Sequence, residues 1–161
     1  MRASTAVPQR VLALILSLIV AVATTGCAVK LVADYDNAAF EEILAVGKKV
    51  DKFYGTLLET KADERPYAKF SDDYVSIETD IRSMLLRNQA RALNSESTQI
   101  SEIILKLMTK YKDRHKTRNT YTDGNARLDR NRFTRLFASA ASAEEAKKLD
   151  TDDKDAEKDS K

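Results

Sequence analysis

The sequence predicts an all-α protein, a three- to four-helix antiparallel bundle after an N-terminal signal peptide, with a disordered acidic and lysine-rich C-terminal tail. Three observations carry this. Apolar residues recur at three- and four-residue intervals through four successive stretches, no segment alternates with period two over strand length, and turn residues separate the stretches. Helices joined by short connections pack antiparallel.

In the first stretch Phe40, Ile43/Leu44, Gly47, Val50, Tyr54 and Leu57/Leu58 form one stripe, with Glu41, Glu42, Lys48, Lys49 and Lys52 between them. Asp36 or Asn37 is the expected N-cap. Pro66 disfavours helix at the residue before it, which gives a first helix over 37–62. The second stretch carries Tyr67, Phe70, Tyr74, Ile77, Ile81, Met84/Leu85 and Asn88, and runs into Asn94-Ser95-Glu96-Ser97-Thr98, read as a turn. Leu93 and Ile100 are seven apart, so a helix continuing straight through is the alternative. The third holds Ile100, Ile103/Ile104, Leu107/Met108 and Tyr111 and ends at the Asp123-Gly124 turn signal. The fourth holds Leu128, Phe133, Leu136/Phe137 and Ala140/Ala141, and Ser142-Ala143-Glu144-Glu145 reads as a capping box that restarts the helix near 142. The bundle domain spans 37–149. Residues 150–161 have one Ala as their only apolar member and are expected to be disordered.

One Cys, one His and no Trp exclude a disulfide framework and a Cys/His zinc cluster. Only Gly47, Gly55 and Gly124 follow Cys27, too few and too scattered for a phosphate-cradling loop. His115 stands among Lys112, Arg114 and Lys116 and reads as a solvated helix-end histidine. Glu41-Glu42 and Asp72-Asp73 diverge around a helix and do not converge as a catalytic dyad. Asp123-Gly124-Asn125 lacks the acid pattern of a calcium loop. Tyr67, Phe70 and Tyr74 read as core, and Asn88 as a polar group fixing register. No catalytic residue, cofactor or metal is expected.

The formal charge of +2 belongs to the first 26 residues, where Arg2 and Arg10 are the only charged groups, so the chain from Cys27 onward is neutral overall. Its charge is nonetheless zoned. Residues 106–135 hold ten basic groups against three acids. Lys112, Arg114, Lys116, Arg118, Arg127, Arg130, Arg132 and Arg135 are the candidate contacts for an anionic surface such as phospholipid head groups or lipopolysaccharide phosphates. The competing reading is a solvated face. Nucleic acid is not expected, for no aromatic-interleaved reader motif appears.

Residues 1–26 have a basic start, an apolar core from Val11 to Ala23 broken only by Ser17, and small residues leading to Cys27. The core is short of the roughly 20 residues that span a bilayer. Thr24-Thr25-Gly26-Cys27 resembles the lipobox of bacterial lipoprotein precursors, with Thr24 where that class usually has an aliphatic residue. The resemblance implies cleavage after Gly26 and a diacylglyceryl group on the Cys27 sulfur, with N-acylation, palmitate for example, of the new amino terminus. Residues 27–36 then form a lipidated tether. It also implies a place in the bacterial cell envelope, and Ala28 after the Cys favours the outer membrane, facing the periplasm. Ala21-Val22-Ala23 leaves open ordinary cleavage and soluble export, and an uncleaved anchor is the third possibility. The chain is similar in pattern to small all-helical proteobacterial lipoproteins. The expected role is a non-catalytic envelope adaptor or structural subunit that binds a protein partner through helical faces; the alternatives are anionic-lipid binding through 106–135 and a secreted helical protein.

Overall fold

Asp36 starts the first helix: its carboxylate accepts the backbone N–H groups of Ala38 and Ala39 at 2.9 and 3.2 Å, satisfying two donors that a helix start leaves unpaired. The structure, a computed structural model, describes the backbone of residues 31–158 and the side chains of 31–149. The expected signal peptide, the Gly26–Cys27 junction, the start of the expected tether and residues 159–161 lie outside the described residues.

Helix α1 runs Asn37–Glu59, three residues short of the predicted end. The reason is Arg65, buried at 2% exposure, whose guanidinium donates to the carbonyls of Thr60 at 2.7 Å and Leu58 at 3.4 Å. A cation on the last carbonyls of a helix satisfies them and complements the dipole. A short 3-10 turn, Ala62–Glu64, then leads to Pro66.

Helix α2 is Tyr67–Ala90, and its buried face of Phe70, Tyr74, Ile77, Ile81, Met84 and Asn88 follows the predicted stripe. Helix α3 is Ser95–Arg118. The turn predicted over 94–98 is therefore displaced toward the N-terminus, with Leu93 at φ 58 and Asn94 as the cap residue. Ser95 to Thr98 are helical, and the helix turns Ser97 and Ser101 into a buried polar layer, where the Asn88 amide donates to the Ser101 hydroxyl at 2.8 Å.

Asn119, left-handed at φ 50, ends α3 and also caps α2, its side chain accepting the Tyr67 N–H at 2.9 Å. Helix α4 is Asp123–Lys158. Asp123 and Gly124 lie in its first turn rather than in the connection. The interruption predicted near 142 is absent, because Glu144 and Lys147 continue the buried stripe. Residues 150–158, predicted to be disordered, carry on the helical backbone. A helix already nucleated by packing extends at little cost, whatever the polarity of its end.

The four helices form a ring in which α1 packs most extensively on α4 and α2 on α3, α1 meets α2 less, and α3 meets α4 least. The centre is aromatic, with Phe53 against Tyr74 at 4.7 Å and Tyr54 stacked on Phe133 at 5.8 Å between ring centroids. Where α1 crosses α4, Gly47 lets Phe137 in: a Cβ at 47 would lie 3.1 Å from the ring and 3.2 Å from the Phe137 Cβ. Gly47→Leu is thus expected to destabilise the bundle by about 1–3 kcal/mol, read from its urea midpoint. A variant as stable as the parent would contradict the close approach.

Candidate functional site

The bundle has two unlike ends. One gathers the start of α1, the α2–α3 turn and the later part of α4. There Glu144, with no solvent exposure, accepts from Arg91 at 2.9 and 3.2 Å, from Lys147 at 2.5 Å and from the backbone N–H of Asp36 at 2.9 Å. Lys147 is buried too, and its ammonium donates to Asn94 at 2.6 Å and Ser97 at 2.9 Å. Arg91 also donates to the Asp34 carbonyl, and Ala33 donates its N–H to the Leu93 carbonyl at 2.9 Å. Residues 33–36 are thereby clasped to the bundle at this end. Burial raises the Glu144 pKa, but Arg91 and Lys147 outweigh it and hold the carboxyl below its usual range.

The opposite end gathers the α1–α2 and α3–α4 connections. His115, expected in solvent, is fully buried. Its Nε2–H donates to the Arg65 carbonyl at 3.0 Å, which leaves Nδ1 to accept from the Tyr74 hydroxyl at 3.1 Å. The local sequence of lysines and arginines hid this, because they lie on other faces of the helix while residue 115 continues the stripe of 104, 108 and 111. Burial, with Arg114 nearby, lowers the His115 pKa despite its bond to the Arg65 carbonyl. Asp129, also without solvent exposure, accepts from Tyr121 at 2.5 Å and from Arg114. Arg65 reaches the Tyr121 carbonyl at 2.9 Å and Asp123 at 2.7 Å.

The eight basic candidates do not form one patch. Lys112 turns toward α2 and pairs with Glu78 at 2.6 Å. Arg130 turns toward α1 and grips Asp51 with two bonds at 2.7 and 2.8 Å, which lowers the Asp51 pKa. Arg114 is taken up by Asp129 and Tyr121. Arg132 donates to the Tyr111 hydroxyl at 2.8 Å and lies 3.7 Å from Asp129. Lys116, Arg118, Arg127 and Arg135 are exposed and make no ion pair among the described residues. Lys116 lies 6.0 Å from the Tyr67 ring centroid.

Between α3 and α4 the loosest helix pair leaves a groove of about 270 Å³ lined by Leu107, Leu136, Ser139, Arg132 and Arg135. Ile103 and Leu128, four residues before Leu107 and Arg132 in their helices, are exposed. Among the described residues no group of His, Cys, Asp and Glu could hold a metal ion, and no helix is long and apolar enough to cross a membrane. No family model matches the chain, and no curated protein or solved structure is found to be similar to it.

Glu144, Lys147, Asp129 and Arg65 were not singled out by sequence reasoning. A signal for the first three was present: 126, 129, 133, 137, 140, 144 and 147 keep a helical period, so three charged residues stand on an apolar stripe. Arg65, in a connection, left none.

Removing the Glu144 charge leaves Arg91 and Lys147 uncompensated. Glu144→Gln is expected to cost about 3–5 kcal/mol, against at most about 0.5 kcal/mol for exposed Glu145→Gln; equal urea midpoints for the two would refute the clasp. The pH dependence follows from the same shifts. The unfolded chain protonates His115 more readily than the fold does, so stability falls as pH drops below the ordinary value of 6.5. Glu144 adds a second loss as pH falls below its ordinary 4.5 toward its folded value. His115→Gln should melt lower than the parent but flatten the change between about pH 7.5 and about pH 5. An unchanged slope would remove His115 as its source.

Proposed function

We propose that the chain is a lipid-anchored envelope lipoprotein, acylated on Cys27 after removal of residues 1–26, whose helical bundle is a non-catalytic adaptor for a protein partner. The address is the periplasmic face of the outer membrane. The observation that carries this reading is the clasp. Residues 33–36, the last of the tether, are bonded to the Leu93 carbonyl, Arg91 and Glu144. A free terminus needs no such hold, whereas a terminus moored by acyl chains transmits the position of the anchor to the bundle only through one.

Support for a binding role comes from how the ionisable groups are used. His115, Glu144, Lys147 and Asp129 each have partners inside the fold, and none opens into a cleft with a second reactive group beside it. The alternative of an anionic-lipid surface over 106–135 draws less support. Four of its eight arginines and lysines face acids of the same chain, Glu78, Asp129 and Asp51.

Intact mass of the native product tests the anchor. The expected species begins at Cys27 and carries diacylglyceryl and N-acyl groups, and Cys27→Ser moves the chain from the membrane to the soluble fraction. A product that begins at Thr24 with a free thiol would end the lipoprotein reading.

A further inference from the structure

In the α3–α4 groove aliphatic side chains and cations lie together. On α3, Ile103, Leu107 and Lys110 follow one another at four- and three-residue steps, on one helix flank and about 10 Å long. Of these, Leu107 lines the groove together with Arg132, Arg135 and Leu136 of α4, and Ile103 and Lys110 flank it one turn to either side. Lys110 and Arg135 are exposed and make no hydrogen bond or ion pair among the described residues. Arg132 bonds Tyr111 and lies 3.7 Å from Asp129, both through the same nitrogen, so the unpaired charge of the rim is that of Lys110 and Arg135. The groove's lining contains no acid.

We infer that this groove docks one amphipathic helix of a partner protein, a helix that carries a large apolar anchor with Asp or Glu one turn to either side. Charge complementarity sets the sign of the occupant, for a cationic rim over a leucine floor rejects Lys- or Arg-flanked segments. Shape sets its class. Leu107 and Leu136 are half-buried while the arginines beside them stand out. A ridge with one projecting side chain reaches such a recessed floor, as in helix-in-groove recognition. A flat bilayer surface meets the arginines and misses the leucines. At about 270 Å³ the groove is smaller than the roughly 300–1,000 Å³ of small-molecule sites; it takes one side chain and leaves the rest of the contact to the rim. The inference deepens the adaptor reading and rests on it for the existence of a partner, not for the lipid on Cys27.

The test titrates the full mature chain with a labelled helical peptide bearing Leu at i, i+4 steps and Glu on both flanks, with a Lys-flanked counterpart, and with phosphatidylglycerol vesicles. The Glu-flanked peptide is expected to bind. Lys110→Glu with Arg135→Glu, two positions that hold no partner in the fold, should weaken it at least about tenfold with an unchanged melting curve. In cells, a benzoylphenylalanine crosslinker in place of Leu136 should form adducts with an acid-flanked helical segment. The inference is overturned if the Glu-flanked peptide does not bind, if the charge-reversed chain binds it equally, if the Lys-flanked peptide binds as well, or if the crosslinker captures only lipid or nothing. The Cys27→Ser chain should give the same titration, so failure of the anchor and failure of the groove read separately.

Discussion

A carboxylate with no access to water must be met by opposite charge and hydrogen bonds on every side, and Glu144 is. Arg91 comes from the residue that ends α2, Lys147 from the next turn of α4, and the Asp36 N–H from the cap of α1. Those partners fix three otherwise independent features: where the chain enters the bundle, where the α2–α3 turn sits, and in which register α4 lies against both. A leucine at 144 would pack in the same space and leave all three free to slide. The cluster therefore contributes registry more than net stability, the use best attested for buried ion pairs. Leu93, held at φ 58, belongs to the same constraint. That conformation costs a non-glycine residue about 1–2 kcal/mol, and it is kept where the Leu93 carbonyl receives Ala33.

The open flank of the bundle follows from this arrangement. Helix α3 gives the first part of its buried face to Ser97 and Ser101, which serve Lys147 and Asn88. At its other end Arg114 reaches across to Asp129 on α4. The α3–α4 pair is thus pinned by polar contacts at both ends. Between them Ile104, Met108 and Tyr111 point to the centre, and Leu107 and Leu136 are left half-covered. Every other neighbouring pair of the ring meets along more of its length. A groove at this place is a consequence of polar pinning rather than of poor packing.

Much of the fold was legible in the sequence. The period of apolar residues gave a three- to four-helix bundle and the buried face of α2 except Glu78, while Asp36 or Asn37 stood as the expected cap and Pro66 marked the break. The period also gave Asn88 as a buried polar group, though not its partners. What misled the reading was in each case a polar residue whose environment is set by a distant segment. Ser95 to Thr98 looked like a turn because small polar residues are poor helix formers in isolation, yet two of the helical residues here, Ser97 and Ser101, are buried against α2 and α4. Glu144 looked like part of a capping box because its partner Arg91 is 53 residues away. His115 took its solvated appearance from Lys112, Arg114 and Lys116, which share its sequence neighbourhood and not its face. Local patterns report period well; they do not report what lies across the bundle. The pairing of Lys112 and Arg130 within the basic zone was hidden for the same reason, since their counter-charges Glu78 and Asp51 lie on other helices.

The two ends also bear on how a tethered bundle presents its surface. Six chain steps separate Cys27 from Ala33, and they reach at most about 22 Å however arranged. Helix α3, of 24 residues, is about 36 Å long. Under the lipid-anchored reading, the end with His115 and Tyr121 stands farther from the bilayer than the tether extends, unless the bundle lies on its side. Lying down brings only one flank to the lipid. The cations radiate around the bundle, Lys112 toward α2, Arg130 toward α1, Arg132 and Arg135 over the groove, so no single plane gathers them. A surface of that kind is poorly matched to a flat sheet of phosphates and better matched to something narrow that fits between two helices, and this ties the clasp at one end to the groove along the side.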